Sequence, residues 1–199
     1  MRARRRGTSG QTIVEFALVA PLFLLLVFST IDFGGYFSSR LAVEEAARAG
    51  ARAAVVQVSS SYSGSAITGA ITAQKGMAAL TTTVDCIWQG TTLDPDSYPP
   101  FKPLTGTSCV GIWYFDLMNE TSGPPTLCTE WSVAHSAFGS YSGSTWTAAT
   151  PPSGCVVPQE DIVVVGVGYQ YRPLTPMPTI VSGALTTYGE TQLMEEGTT

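Results

Sequence analysis

Residues 10–37 read GQTIVEFALVAPLFLLLVFSTIDFGGYF, and the fold turns on what this stretch becomes. From Ile13 to Ile31 the only ionisable side chain is Glu15, and Asp32 ends the run. As a helix these residues cover about 28 Å, close to the thickness of a bilayer's hydrocarbon core. Arg2, Arg4, Arg5 and Arg6 precede the run and few basic residues follow it. The positive-inside bias therefore places the N-terminus in the cytoplasm and the rest of the chain outside. A cleavable secretory signal also starts with basic residues, but its apolar core is about 7–15 residues long and ends in a small-x-small site. STIDFGGYF at 29–37 offers no such site, so the segment is read as an uncleaved transmembrane helix. A carboxylate at the start of a span is costly, and Glu15 needs a physical reason to be there.

Outward from the span, the composition excludes several function classes. Charged residues are 13% of the 199-residue chain, about half the share of a soluble domain. Beyond residue 57 the basic residues are Lys75, Lys102 and Arg172, against eleven acidic ones, a net charge of −8. Nothing there can neutralise a row of phosphates, so nucleic acid is not an expected partner. Cys86, Cys109, Cys128 and Cys155 all follow the span. An even count in an extracytoplasmic domain predicts two disulfides, with three connectivities possible. Cys86 ends an expected strand and Cys155 shortly precedes its expected partner, which favours a nested pairing, Cys86–Cys155 and Cys109–Cys128. No CxxC spacing points to zinc or a redox site, and no metal or other cofactor is expected.

Helical character continues past the span. YFSSRLAVEEAARAGARAAVV, 36–56, puts Arg40, Glu44, Arg48 and Arg52 on one face and Ala42, Val43, Ala46, Ala49, Gly50 and Ala53 on the other. Small residues let a sheet or a neighbouring copy approach closely; packing on the chain's own domain is the simpler expectation. Residues 66–80 predict a second helix, and TTTVDCIW at 81–88 a strand. DIVVVGVGYQY at 161–171 is the strongest strand pattern, with Val163, Val165, Val167, Tyr169 and Tyr171 alternating to one face. A third strand is expected over 184–195, at a sheet edge. The predicted class is α+β: a long N-terminal helix, a second helix and a small antiparallel sheet. Its expected divisions are a basic leader at 1–10, the helix at 11–56 and an extracytoplasmic domain at 57–199. Within the last, 89–157 is rich in Ser, Thr, Gly and aromatic residues and is expected to form short strands pinned by the cysteines.

A basic leader, Gly10, four residues, then Glu15-Phe16 and an apolar helix is the pattern of prepilin peptidase substrates. The chain resembles the TadE family of minor pseudopilins, of the tight-adherence or Flp-type pilus system. GQTIVEFALVAPLFLLLVFSTIDFGGYF, with Pro21 and Asp32-Phe33-Gly34, matches the family's opening. EEAARAGARAAV matches its following helix and VGVGYQYRPLTPMP its late strand and proline turn. Two departures stand out: the central region is much longer than usual, and Leu193-Met194-Glu195 replaces the usual closing Arg-x-Glu. The resemblance implies cleavage between Gly10 and Gln11, which would make Glu15 the fifth residue of the mature chain. It gives Glu15 the task of neutralising a neighbouring subunit's α-amine. It also implies the inner membrane as location and, as partners, the peptidase, the major pilin, other minor pseudopilins and the pilus machine's membrane platform.

Enzyme signatures are weak. His135 is the only histidine, so a Ser-His-Asp triad would have to use it, and no GxSxG surrounds any serine. DPDSYPP at 94–100 lacks calcium-loop spacing, NET at 119–121 matters only in a glycosylating host, and no phosphate-binding glycine loop is present. The expected function is non-enzymatic. A reading from another class is an anchored surface module whose aromatic insertion, with Trp113, Tyr114, Phe115, Trp131, Phe138, Tyr141 and Trp146, binds a glycan or a cell-surface ligand.

Overall fold

The structure is a computed structural model that describes residues 9–56, 64–74, 84–93, 101–106, 108–116, 124–152, 155, 161–171 and 185–194. The leader arginines, residues 75–83, the 94–100 and 119–121 motifs, and Pro173, Pro176 and Pro178 lie outside these residues. Helix α1, Ser9–Val55, is one uninterrupted element of 47 residues, roughly 70 Å long. Pro21 sits inside it and removes one i→i−4 hydrogen bond, yet the helix continues. Ser29 and Thr30 return their hydroxyl protons to the carbonyls of Leu25 and Leu26, each at 2.8 Å. That keeps the apolar run free of unsatisfied side-chain polar groups.

The distal half of α1 packs on the chain's own domain. Val43, Ala46, Ala47, Gly50, Ala51 and Ala54 are buried, and Arg48 and Arg52 are exposed on the other side. Arg40 Nε pairs with Glu44 Oε1 at 3.3 Å along the helix. The short helix α2, Gly64–Thr72, adds Ile67 and Ile71 to the same cluster. Gly50 faces both α2 and β7: a Cβ there would lie 2.8 Å from Ile71 and 3.0 Å from Val165.

The strands are β1 Cys86–Trp88, β2 Phe101–Pro103, β3 Cys109–Asp116, β4 Thr126–Ser132, β5 Ala137–Ser142, β6 Thr145–Ala148, β7 Asp161–Tyr171 and β8 Leu185–Met194. Six form one antiparallel sheet in the order β6-β5-β4-β3-β7-β8, and β1 and β2 form a separate ribbon. The expected edge strand over 184–195 is β8, which indeed ends the sheet. The sheet is larger than expected, because 89–157 supplies four of its six strands, including the central β3. Residues Cys109 to Phe115 of β3 are all buried, as befits a strand covered on both faces. On one face Val110, Ile112, Tyr114, Val163, Val165 and Val167 meet α1 and α2. On the other, Trp113, Phe115, Ile162 and Val164 meet Trp88, Leu93 and Phe101 of the ribbon side. The expected alternation in β7 is present, and its valines lie on the helix-facing side, but Ile162 and Val164 are buried too.

The disulfides are sequential, not nested: Cys86–Cys109 and Cys128–Cys155. The nested expectation paired β1 with the strand after Cys155. In fact β1 pairs with β2, and Asp85 bridges Val110 at the start of β3, which puts Cys86 beside Cys109. Cys155 reaches Cys128 through a turn closed by its amide on the Pro152 carbonyl, 3.0 Å.

Peptide mapping without reduction should recover Cys86–Cys109 and Cys128–Cys155. Replacing Cys86 and Cys109 by serine together should cost about 3 kcal/mol, the loop-entropy value for this separation, read as a lower urea midpoint. Gly50→Val should cost about 1–3 kcal/mol by overpacking, with α1 helicity retained by circular dichroism.

Candidate functional site

The sequence-predicted residues sit on the first turns of α1. The helix already runs through Gly10 and Gln11, and Gln11 Nε2 donates to Glu15 Oε1 at 3.1 Å. Four residues of separation make one helical turn, so residue 11 and the carboxylate share a face. Phe16 points outward with 73% of its surface exposed. Ile13, Val14, Leu18, Leu22, Phe23 and Leu26 are exposed as well, and none of the most apolar window, mean hydropathy 2.3, is buried. An apolar surface of this extent demands lipid or neighbouring apolar chains around it. The helix is long and apolar enough to cross a membrane.

The head domain grips α1 directly after this segment. Tyr171, at the end of β7, lies against Gly35, where any Cβ would overlap its hydroxyl. Its ring meets Tyr36 edge to face, with centroids 6.2 Å apart. Tyr171 is 7% exposed, and its hydroxyl has no hydrogen-bond partner among the described residues. Burial raises the phenol pKa, and the Asp32 charge adds to that. Since ionisation is disfavoured, the phenol stays neutral in this contact.

On the sheet face away from α1 lies a polar cluster that the sequence did not single out. Asp85, 2% exposed, accepts from Ser132 Oγ and Tyr141 Oη at 2.5 Å each, and from the amides of Val133 at 2.6 Å and Ala134 at 3.2 Å. The His135 amide donates to Ser132 Oγ at 2.9 Å, and His135 Nδ1 lies 2.9 Å from the same oxygen. Ser, His and Asp therefore do come together, but not as a hydrolase arranges them. Nδ1 is shared between Ser132 and Asp85, the latter at 3.9 Å, and Ser132 is 1% exposed. A nucleophile needs the imidazole's other nitrogen and room for an acyl group. What the cluster does is hold the β4–β5 turn, where Ser136 adopts a left-handed φ of 50°.

Glu130 is 5% exposed and accepts from Trp113 Nε1 at 3.2 Å and from the Tyr141 amide. Burial pushes its pKa up to about 7; the two hydrogen bonds oppose the rise and the Asp85 charge adds to it. Tyr141 is shifted upward as well, first by burial and then by donating to Asp85. The signal available in the sequence was an acid embedded in strand-like apolar runs, VDCIW and LCTEW, which periodicity alone does not interpret. The aromatic insertion serves mainly as core: Trp113, Tyr114 and Phe115 are at most 2% exposed. Trp131 and Phe138 pack edge to face at 4.7 Å. A shallow cleft of about 480 Å³ beside these two rings is lined by Ala137, Ala148, Ala149, Thr150 and Pro151.

Among the described residues, the architecture is one long apolar N-terminal helix whose distal half carries an α+β head. The family model described as TadE-like protein matches residues 10–52, nearly the whole of α1. The likeness is confined to this N-terminal segment. No curated protein and no solved structure matches the chain.

Because Glu130 binds its proton more tightly in the fold than in the unfolded chain, its contribution is fully present below pH about 4.5 and lost as pH rises through about 7. The loss should be roughly 2–3 kcal/mol between pH 5 and 8. Urea titrations of the detergent-solubilised chain, followed by tryptophan fluorescence, should show it. Glu130→Gln should flatten that dependence.

Proposed function

We propose that this chain is a non-enzymatic minor pseudopilin that assists assembly of a tight-adherence pilus, by initiating, capping or regulating it. The observation that carries the reading is the TadE-like match over a helix whose N-terminal half holds an apolar window with none of it buried. The helix sits in the cytoplasmic membrane, N-terminus inside and head domain outside. A prepilin peptidase cuts between Gly10 and Gln11. The first four amides of a helix lack intrahelical acceptors, so the turn around Gly10 unwinds at low cost to present that bond. The cut leaves a new α-amine on Gln11, one turn from Glu15.

In the membrane the charges on that amine and on Glu15 are both costly, and pairing between neighbours offsets the cost only in the correct register. The Gln11 amide now on Glu15 is a neutral donor, and a neighbour's ammonium is the stronger one. Gly10, Gln11, Glu15 and Phe16 thus serve recognition and assembly. The partners are the peptidase, the major pilin, other minor pseudopilins and the membrane platform of the machine. The buried seat of Ser132 and the core role of the insertion's rings support a structural rather than a catalytic or glycan-binding head.

Co-expression with the matching peptidase should yield a mature chain starting at Gln11 by mass spectrometry, and Gly10→Val should block processing. A terminus at Met1 in the presence of active peptidase would defeat this reading. Glu15→Ala should keep the protein in the membrane fraction but lose pili, with Glu15→Asp intermediate. Leu24→Arg should lose membrane retention and abundance together. Normal piliation with Glu15→Ala would leave the carboxylate without a role in assembly.

A further inference from the structure

His135 is the chain's single histidine, and it stands at the outer end of the Asp85 cluster. A carboxylate offers about four acceptor positions, and donors fill them all on Asp85. Oδ1 takes the Val133 and Ala134 amides, and Oδ2 takes Ser132 Oγ and Tyr141 Oη. Ser132 has one hydroxyl proton, and it goes to Asp85. The same oxygen accepts from the His135 amide and lies 2.9 Å from His135 Nδ1. An oxygen that has already donated its proton can only accept, so Nδ1 carries the hydrogen. Nε2 is left as the basic nitrogen, on a side chain that is 49% exposed.

We propose that His135 is a proton-operated latch on the β4–β5 turn. Protonation at Nε2 tightens the turn and the β5–β6 hairpin behind it, and deprotonation loosens both. The head carries this device whether or not α1 lies in a membrane.

Three contacts give protonation that effect. The Nδ1–H bond to Ser132 becomes charge-assisted, and such bonds are shorter and stronger than neutral ones. Asp85 Oδ2 lies 3.9 Å from Nδ1, so the imidazolium gains a buried counter-ion. The ring also stacks on Trp146 of β6, with centroids 5.4 Å apart and planes 11° from parallel. A cation over an indole face is attracted to it, which ties the turn to the far strand of the hairpin. Tyr141 joins the two, packing on Trp146 at 4.8 Å and donating to Asp85.

Among the described residues, the other titratable groups around this site are Asp85, Glu130 and Tyr141. Burial and donation to Asp85 push the Tyr141 phenol's pKa upward, so it stays neutral. Glu130, with a pKa of about 7, bonds the Tyr141 amide rather than the imidazole. It titrates in the same interval as a histidine, so a test has to vary His135 and keep Glu130.

Full-length protein labelled with 15N-histidine in detergent micelles gives one imidazole to follow. On the alkaline side, long-range proton–nitrogen correlations should show Nδ1 protonated and Nε2 bare. The opposite tautomer would overturn the donor chain and the latch with it. Amide exchange over 133–142, referred to intrinsic rates, would then be compared for wild type and His135→Gln between pH 5 and 8. The substitution changes an exposed side chain and keeps the backbone amide that bonds Ser132. Wild type should exchange roughly threefold more slowly than His135→Gln on the acidic side. That gap should close along the imidazole's own titration curve. Profiles that stay parallel from pH 5 to 8 would overturn the latch and assign the pH response to Glu130.

Discussion

The contact between the small-residue face of α1 and strand β7 is the constraint on which the rest of the molecule depends. A helix can lie this close to a sheet only if its contact positions are short, and Ala46, Ala47, Gly50, Ala51 and Ala54 supply that. Gly50 sets the separation, because Ile71 and Val165 occupy the space a side chain would take. Since β7 is hydrogen-bonded along its length to β3 and β8, whatever fixes α1 on β7 fixes it relative to the whole sheet. The head is thus not tethered to the span by a linker. It is packed onto the same rigid helix, from Tyr171 at Gly35 up to the end of α1.

Under the proposed assembly role, that rigidity would give the N-terminal carboxylate its leverage. Glu15 and Gly50 lie on one unbroken helix, 35 residues and about 52 Å apart along the axis. A register error of one turn at Glu15 displaces the head by the same 5.4 Å pitch. In a packed assembly such a shift would disrupt every contact between heads. If Glu15 pairs with a neighbour's amine inside the membrane, as proposed, that one interaction in low dielectric would discriminate registers that many weak surface contacts would blur.

Much of this was legible in the sequence, for identifiable reasons. An apolar run with a single acid in nineteen residues has few structural solutions, and strict valine alternation in 161–171 has few others. The 36–56 face was legible in part: Val43, Ala46 and Gly50 are buried as expected, whereas Ala42, Ala49 and Ala53 are half-buried and Ala47, Ala51 and Ala54 complete the contact. The region 89–157 was not, although it holds the central strand. CVGIWYFD, 109–116, is buried on both faces, so it lacks the two-residue period that identifies a half-exposed strand. The disulfide pairing failed for a related reason: it assumed that β1 lies in the main sheet, whereas β1 pairs with β2 and meets β3 through the Asp85–Val110 bridge beside it. Topology of that kind is set by which faces need covering, and no local pattern states it. Asp85 and Glu130 were opaque because their partners, from Trp113 to Tyr141, are distant in sequence.

The buried carboxylates also account for how a long polar-looking insertion forms a core. The β4–β5–β6 end of the sheet has short strands, and β6 has only a half-buried Trp146 among exposed residues. Apolar burial alone would hold such an end weakly, since so little area leaves water. Asp85 compensates by binding the β4–β5 turn at two amides and two hydroxyls, all to one side chain outside the sheet. Cys128–Cys155 ties β4 to the chain beyond β6. The opposite end of the sheet needs no such device, because α1 covers it. The same helix that is long and apolar enough to cross a membrane therefore decides which half of the head is held by apolar packing and which by buried polar bonds and a crosslink.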